Sequence, residues 1–172
     1  MMKQQISQID YKIIEWIRVN VKRRKWMTWI ARTINIVGKG GLMWIVLAVA
    51  LMFTKYFKVG LFIILGDLGY FVLIESLVKR FLFRNRPFVD NKLIELEVKK
   101  PGNSSFPSGH CVIAMCSTIL LFHISIWIGL IALVFTAVIA LSRLYLMVHY
   151  PSDVLSGLLV GAIFGVILSL FL

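Results

Sequence analysis

Five apolar segments, each close to the length of one bilayer crossing, constrain the fold of this chain more than any other feature. They cover about 41–57, 59–78, 110–128, 129–147 and 152–172. A helix needs about 20 apolar residues to cross the hydrocarbon core, and its backbone hydrogen bonds must close within the segment. The segments therefore predict an all-α, polytopic transmembrane helical bundle. The chain has 59% hydrophobic and only 16% charged residues, and this composition excludes a soluble globular protein.

The first 39 residues differ from the rest because charged and apolar positions alternate along them. Residues 6–21 place apolar side chains near a 3.6-residue period, which predicts an amphipathic helix in the membrane interface. The basic run 22–25 ends that helix. Residues 26–37 are apolar but short and contain Arg32, so they lie in the interface or enter the bilayer partway. The bundle then has five to six crossings, and no removable signal peptide is expected.

One domain is expected over residues 1–172, because the predicted helices use most of the chain length. Residues 1–39 form an amphipathic, interfacial N-terminal region, and residues 40–172 form the transmembrane core with its catalytic residues. Cys111 and Cys116 stand five residues apart on one predicted helix. Their spacing suits neither a disulfide framework nor a metal site, and we interpret both as packing residues.

Polar residues gather at four predicted helix ends, which indicates a reaction site in a chain this apolar. The clusters are Lys79 to Arg86-Pro87, Pro107-Ser108-Gly109-His110, Ser142-Arg143, and His149 to Asp153. Because successive crossings alternate in direction, all four helix ends lie on one membrane face. The sequence therefore predicts a single site that holds three cations, two histidines and one carboxylate.

Phosphoryl transfer is the chemistry that these side chains support. Lys79, Arg86 and Arg143 can neutralise the charge on the oxygens of a transferring phosphoryl group. Ser108 and Gly109 stand at a predicted helix start, where free backbone N–H groups and the positive end of the helix dipole can hold the same anion. The sequence thus predicts a phosphate site made of side-chain cations and a helix N-terminus.

Two histidines supply the candidate nucleophile and general acid. A neutral imidazole can attack phosphorus, and an imidazole can also protonate the leaving oxygen, so either His110 or His149 suits either role. Asp153 can orient one of them. His123 lies about 20 Å along a helix from His110 and belongs to the opposite face. No cluster of metal ligands remains, so no metal is expected.

The clusters resemble the three signature blocks of the type 2 phosphatidic acid phosphatase (PAP2) superfamily. The three blocks are Lys79-Xaa6-Arg86-Pro87, Pro107-Ser108-Gly109-His110 and Ser142-Arg143-Xaa5-His149-Xaa3-Asp153, and all their fixed positions match. The resemblance covers residues 79–153 and the helices around them. It implies a membrane phosphatase that needs no metal or other cofactor and works through a phosphohistidine intermediate.

The resemblance also implies a role for each matched residue. His149 is the implied nucleophile, Asp153 is its orienting partner, and His110 is the general acid for the leaving group. The implied phosphate-binding residues are Lys79, Arg86, Ser108, Gly109 and Arg143.

A site at the level of the headgroups predicts a lipid phosphate as substrate, covered at its entrance by the long loop 84–107. Undecaprenyl pyrophosphate is the first expectation, because a small basic pocket suits a diphosphate. Phosphatidylglycerophosphate, phosphatidic acid and lipid A are the alternatives. The expected partners are this lipid and the membrane, not nucleic acid. A transporter or a non-catalytic binder of anionic lipids is the alternative of another class, but a binder has no need of the His149–Asp153 pair.

Two arguments about which side of the membrane the site faces disagree with each other. If residues 26–37 do not cross, all Lys and Arg residues except Lys55 and Lys58 share the side of the site, and the positive-inside rule makes that side cytoplasmic. The resemblance implies a site on the outer face of the bacterial cytoplasmic membrane. A partial crossing by residues 26–37 would return the basic run 22–25 to the cytoplasm. The expectation is an outward-facing site.

Charged residues outside the signature blocks have simpler interpretations. We interpret Arg80, Arg84 and Lys92 as solvated or in contact with lipid headgroups. Glu75 stands four residues before Lys79 and is expected to pair with it. Asp67, deeper in the same segment, is expected to be a packed, hydrogen-bonded residue.

Overall fold

A computed structural model describes residues 2–102 and 104–172, with side chains from residue 7 onward. The described residues form eight helices, a single 3-10 turn at Lys39–Gly41 and no strand. The helices are α1 (Met2–Asn20), α2 (Lys25–Val37), α3 (Leu42–Met52), α4 (Phe57–Phe81), α5 (Pro87–Asp90), α6 (Gly109–Leu121), α7 (Ile126–Tyr145) and α8 (Pro151–Ser169). Within α4, the stretch Tyr70–Val78 is π-helical. The prediction of an all-α fold is confirmed.

Three helices, α4, α7 and α8, are long and apolar enough to cross a membrane, and α2 with α3 passes the same test across a bend of 56°. The chain is therefore an integral membrane protein. The predicted segment 110–128 is shorter than expected, because α6 ends at Leu121 and is only 13 residues long. Residues 122–125 turn, and the Ser125 hydroxyl caps α7 by accepting from the Ile128 N–H.

The close approach of α6 and α8 holds the centre of the bundle together. Three glycines of α8, spaced four residues apart, face the backbone of α6. A Cβ at Gly157 would lie 2.6 Å from the Ser108 carbonyl oxygen, and a Cβ at Gly161 would lie 2.3 Å from the Val112 carbonyl oxygen. Only small residues permit such contact between membrane helices. The starts of α6 and α8 are therefore fixed side by side.

We call the end of the bundle where α4 and α7 finish and α6 and α8 begin the site end. α1 and α2 both lie against it. Thr28 of α2 has its hydroxyl 2.7 Å from that of Tyr145, at the end of α7. The bend after α2 uses Gly40 and Gly41, whose φ angles of 64° and 75° favour glycine. Arg23, in the basic run 22–25, lies over the ring of Tyr145, so this run is placed at the site end.

Candidate active site

A cavity of about 460 Å³ opens at the site end, between the α2–α3 bend, α4, α6 and the loops that precede α6 and α8. Six of the eight predicted site residues line it: Lys79, Arg86, Gly109, His110, Arg143 and His149. The other two, Ser108 and Asp153, are fully buried behind its wall. The structure therefore brings all four polar clusters together, as the alternation of crossings predicts.

His149 is held with one ring nitrogen fixed and the other directed toward a cation. Its Nδ1 lies 2.8 Å from the backbone carbonyl oxygen of Ser105, and its Nε2 lies 3.2 Å from Nη1 of Arg86. A carbonyl oxygen only accepts and a guanidinium only donates, so the proton belongs on Nδ1 and the lone pair on Nε2. Burial lowers the pKa of His149 to about 4, which keeps the ring neutral and nucleophilic at neutral pH.

Asp153 does not hydrogen-bond to His149 directly. Its Oδ2 lies 3.8 Å from Nδ1 of His149, beyond hydrogen-bond distance. The carboxylate instead accepts from the Tyr150 N–H at 2.8 Å, from the Ser105 hydroxyl and from Nη1 of Arg84 at 2.8 Å. Asp153 thus fixes both the residue that accepts from His149 and the start of α8. The orienting role stays a prediction, and this geometry would make it indirect.

The two arginines of the site are buried and donate hydrogen bonds to nearby oxygens. Arg86 donates to the carbonyl oxygen of Val148 at 2.9 Å, and burial lowers the pKa of its guanidinium. Arg143 is 1% exposed and donates to Oδ1 of Asn35 at 2.9 Å and to the Ser142 hydroxyl. Among the described residues, no carboxylate lies within ion-pair distance of Arg143. A buried guanidinium in this setting is suited to an anionic ligand.

Lys79 is positioned by two neighbours on α4. Its Nζ lies 2.6 Å from Oε2 of Glu75 and 3.3 Å from the Tyr70 hydroxyl, which itself donates to Glu75 at 2.5 Å. The predicted Glu75–Lys79 pair is confirmed. A Cβ at Gly109 would lie 2.0 Å from the Tyr70 hydroxyl oxygen, so any side chain there would displace this group. The position of Lys79 therefore depends on glycine at residue 109, because a larger residue there would move Tyr70.

Two polar atoms near the start of α6 have no hydrogen-bond partner in the described part of the chain. They are the Ser108 hydroxyl and Nε2 of His110. Ser108 occupies the N-cap position of α6, yet its side chain makes no capping bond. Buried polar groups are normally paired, so an unpaired one calls for an explanation such as a ligand. Nε2 of His110, whose residue lines the cavity, is suited to contact a phosphate ester, whereas the Ser108 hydroxyl lies behind the cavity wall.

Comparison with known proteins identifies the family. A family model described as the PAP2 superfamily matches residues 55–172, which include all three signature blocks. The chain belongs to the PAP2 superfamily. Two crystal structures have the same fold as this PAP2 chain. A transmembrane PAP2-type phosphatidylglycerolphosphate phosphatase from Bacillus subtilis has a TM-score of 0.80 at 24% identity, covering 97% of this chain and 86% of that one. Aquifex aeolicus LpxE has a TM-score of 0.77 at 28% identity, covering 90% and 92%.

Similar curated proteins carry polyprenyl phosphatase names. The decaprenylphosphoryl-5-phosphoribose phosphatase of Mycobacterium tuberculosis is 39% identical over 55% of this PAP2 chain and 51% of its own length. The undecaprenyl-diphosphatase of Sulfolobus acidocaldarius is 31% identical over 69% and 58%. The putative undecaprenyl-diphosphatase YbjG of Escherichia coli is 40% identical over 46% and 40%. The matches span about half the length of these relatives.

Two interpretations made from the sequence of this PAP2 protein are wrong. Arg84, expected to be solvated or in contact with lipid headgroups, donates to Asp153 and to Oδ2 of Asp10 at 2.7 Å. Asp67 is buried as expected, but neither of its carboxylate oxygens has a hydrogen-bond partner among the described residues. No motif in the sequence identifies Asp10 as a residue near the site. Its burial could have been predicted, because Asp10 falls on the same helical face as the apolar residues Ile14 and Ile17.

Proposed function

We propose that this PAP2 protein is a metal-independent lipid phosphate phosphatase that acts through a phosphohistidine on His149. The observation that carries the proposal is the state of the His149 ring. Nδ1 is bound to the Ser105 carbonyl oxygen, and Nε2 faces the cavity beside Arg86. A fixed, neutral imidazole next to a cation is suited to attack on a phosphoryl group.

The proposed reaction has two steps. Nε2 of His149 attacks phosphorus, a P–N bond forms, and the P–O bond to the lipid breaks. His110, which takes up a proton when the anionic substrate occupies the cavity, gives that proton to the leaving oxygen. Water then attacks the phosphohistidine and passes a proton to His110, which releases phosphate and restores both rings. Arg86, Arg143 and Lys79 stabilise the charge on the phosphoryl oxygens in both steps.

We propose undecaprenyl pyrophosphate as the substrate. The curated relatives support a polyprenyl lipid, since their names specify undecaprenyl and decaprenyl substrates. The cavity supports a diphosphate. Beyond the three cations already described, Lys39, Lys99 and Lys100 also line it, so there are enough positive charges for two phosphate groups.

Phosphate release by the purified protein tests the activity. The assay contains EDTA and compares undecaprenyl pyrophosphate with phosphatidylglycerophosphate, phosphatidic acid and lipid A. We expect release from undecaprenyl pyrophosphate above the others, its loss in His149→Ala and its retention in His123→Ala, since His123 lies at the far end of α6. Loss of release in EDTA with recovery on adding a metal contradicts the metal-independent mechanism. Lipid binding without release from any lipid favours a non-catalytic binder.

We propose a single domain over residues 1–172 in the bacterial cytoplasmic membrane, with the site facing outward. Contacts of α1 with α8 and of α2 with α7 support the single domain. The outward orientation rests on the family resemblance. The distribution of charge opposes it, because the described cations other than Lys55 and Lys58 belong to segments at the site end.

Cysteine labelling in whole cells decides the orientation. Gly102 has open space around it at the site end, and Thr54 is exposed at the opposite end. A membrane-impermeant maleimide should label Gly102→Cys and spare Thr54→Cys if the site faces outward. The reverse pattern places the site in the cytoplasm. The wild-type protein controls for Cys111 and Cys116, which are buried.

A further inference from the structure

Asp10 is a buried acid on a helix that otherwise lies at the surface of the protein. α1 exposes Ile9, Trp16 and Val19, yet Asp10 is 2% exposed. Its Oδ1 accepts from the Ser152 N–H at 2.9 Å, and its Oδ2 accepts from the Ser152 hydroxyl at 2.5 Å. α1 thus contributes one charged group to the first turn of α8.

Arg84 connects this acid to Asp153. Its Nη2 donates to Oδ2 of Asp10 at 2.7 Å, and its Nη1 donates to Oδ1 of Asp153 at 2.8 Å and to the Ser152 hydroxyl at 2.7 Å. The guanidinium also lies over the ring of Tyr150, 4.3 Å from its centroid. The nearby carboxylates outweigh burial and raise the pKa of Arg84. The guanidinium is therefore clamped between two buried carboxylates from different parts of the chain.

The contacts continue from Asp153 to His149. The carboxylate of Asp153 accepts from the Ser105 hydroxyl, and the carbonyl oxygen of Ser105 accepts from Nδ1 of His149. A continuous series of hydrogen bonds thus runs from α1 to the ring that we assign as the nucleophile. Each link is charged or buried, so displacement of one member changes the position of the next.

We propose that Asp10 is a positioning residue for the phosphatase reaction, acting through Arg84 and Asp153 to fix the ring of His149. The proposal rests on the proposed function. It makes the N-terminal helix part of the active site, although α1 lies outside the residues 55–172 that match the PAP2 family. Asp10 touches neither the cavity nor the histidine, so its effect should be on the rate of chemistry and not on lipid binding.

Steady-state kinetics of Asp10→Asn test the proposal. The substitution keeps the size of the side chain but removes the charge that faces Arg84. A displacement of about 1 Å at a nucleophile can cost about 100-fold in rate. We expect kcat to fall between about 10-fold and 100-fold while KM changes less than about twofold, because Lys79, Arg86 and Arg143 are untouched. Asp10→Glu should recover part of kcat.

Two further variants separate positioning from a general loss of structure. Glu15→Gln removes an acid from the same helix whose hydrogen bonds, among the described residues, go to Arg18 and Asn91, and it should keep kcat. When Asp10→Asn is added to an Arg84→Gln variant, kcat should fall by less than about a further twofold, because the connecting cation is already absent. A wild-type kcat in Asp10→Asn, or independent effects of the two substitutions, overturns the proposal.

Nitrogen NMR of the histidine rings gives a readout that does not depend on turnover. The chain has three histidines, so the His149 signals can be assigned by comparison with His149→Ala. We expect the Nδ1–H tautomer in the wild type and in Glu15→Gln, and a mixture of tautomers in Asp10→Asn. If no lipid is turned over, the proposed function fails, and an unchanged tautomer in Asp10→Asn would separately overturn the role of Asp10.

Discussion

The two ends of the helical bundle use charge in different ways. The site end buries Lys79, Arg86 and Arg143. At the opposite end the described cations are Lys55 and Lys58, and both are exposed. Removing a charge from water costs several kcal/mol unless good partners replace the water. A helical bundle can thus be closed at one end without buried charge, and this contrast supports the proposal that the buried cations of the site end bind an anionic ligand.

Two buried acids show the same contrast at the level of single residues. Asp153, at the site end, accepts hydrogen bonds from a backbone N–H, a hydroxyl and a guanidinium. Asp67, in the middle of α4, is equally buried but has no partner in the described part of the chain. Burial alone therefore does not identify a functional acid. The hydrogen-bond donors around the carboxylate distinguish Asp153 from Asp67.

The largest expected difference between the ends comes from removing one arginine. Arg143→Ala should lower kcat/KM by about 10³-fold or more, because a guanidinium that stabilises a transferring phosphoryl group contributes on that scale. Lys58→Ala, at the opposite end, should leave kcat/KM unchanged. Phosphate release from undecaprenyl pyrophosphate measures both. Comparable rates for the two variants would mean that Arg143 does not contact the phosphoryl group.

The second prediction concerns stability as the pH falls. The pKa of His149 is lowered from 6.5 to about 4 by burial, so the unfolded chain takes up a proton at a pH where the folded chain does not. Stability is then fully present above pH 6.5 and decreases as the pH falls toward 4, by about 3 kcal/mol in total. Thermal unfolding in detergent should show this decrease in the wild type and in His123→Gln. His149→Gln should lose the part of the decrease that His149 contributes, and an unchanged pH dependence in that variant would exclude a buried neutral His149.

The third prediction compares two glycines that face aromatic side chains at opposite ends. A Cβ at Gly109 would lie 2.0 Å from the Tyr70 hydroxyl oxygen, and a Cβ at Gly129 would lie 2.2 Å from the Phe122 ring. Gly109→Ala should lower kcat at least about tenfold, because it displaces the group that holds Lys79. Gly129→Ala should lower the melting temperature without changing kcat. Equal kcat losses in both would show that the bundle transmits strain along its whole length.

The smallest effect is expected for the unpaired acid. Asp67→Asn should change the free energy of unfolding by less than about 1 kcal/mol and leave kcat unchanged, because no described donor depends on its charge. Asp153→Asn should instead impair both, since three donors converge on that carboxylate. Denaturation and phosphate release of the two variants check this. A large loss of activity in Asp67→Asn would assign Asp67 a role that its surroundings do not indicate.

The sequence predicts the meeting of the signature residues because they stand at helix ends. Alternation of crossings brings Lys79, His110, Arg143 and His149 to one face without any knowledge of packing, and the Glu75–Lys79 pair follows from helical spacing alone. Helix length is less predictable. The apolar character continues past Leu121, but α6 ends there because the Ser125 cap starts the next helix.

The contacts that the sequence does not predict join segments far apart in the chain. Asp10 and Arg84 are 74 residues apart, and Thr28 and Tyr145 are 117 apart. No local pattern relates such pairs, so Arg84 resembles any other cation beside a membrane. Its role depends on how α1 packs against the site end, which hydrophobic periodicity does not specify.

The length of α6 has a consequence for how the protein is assembled in the membrane. Thirteen residues span about 20 Å, less than the roughly 30 Å of a hydrocarbon core, so α6 is a weak insertion signal by itself. Its backbone packs against Gly157 and Gly161 of α8. We therefore expect α6 to reach its final position only after α8 has been synthesised and has entered the bilayer. Assembly of the candidate site would then also wait for the segment that carries His149 and Asp153.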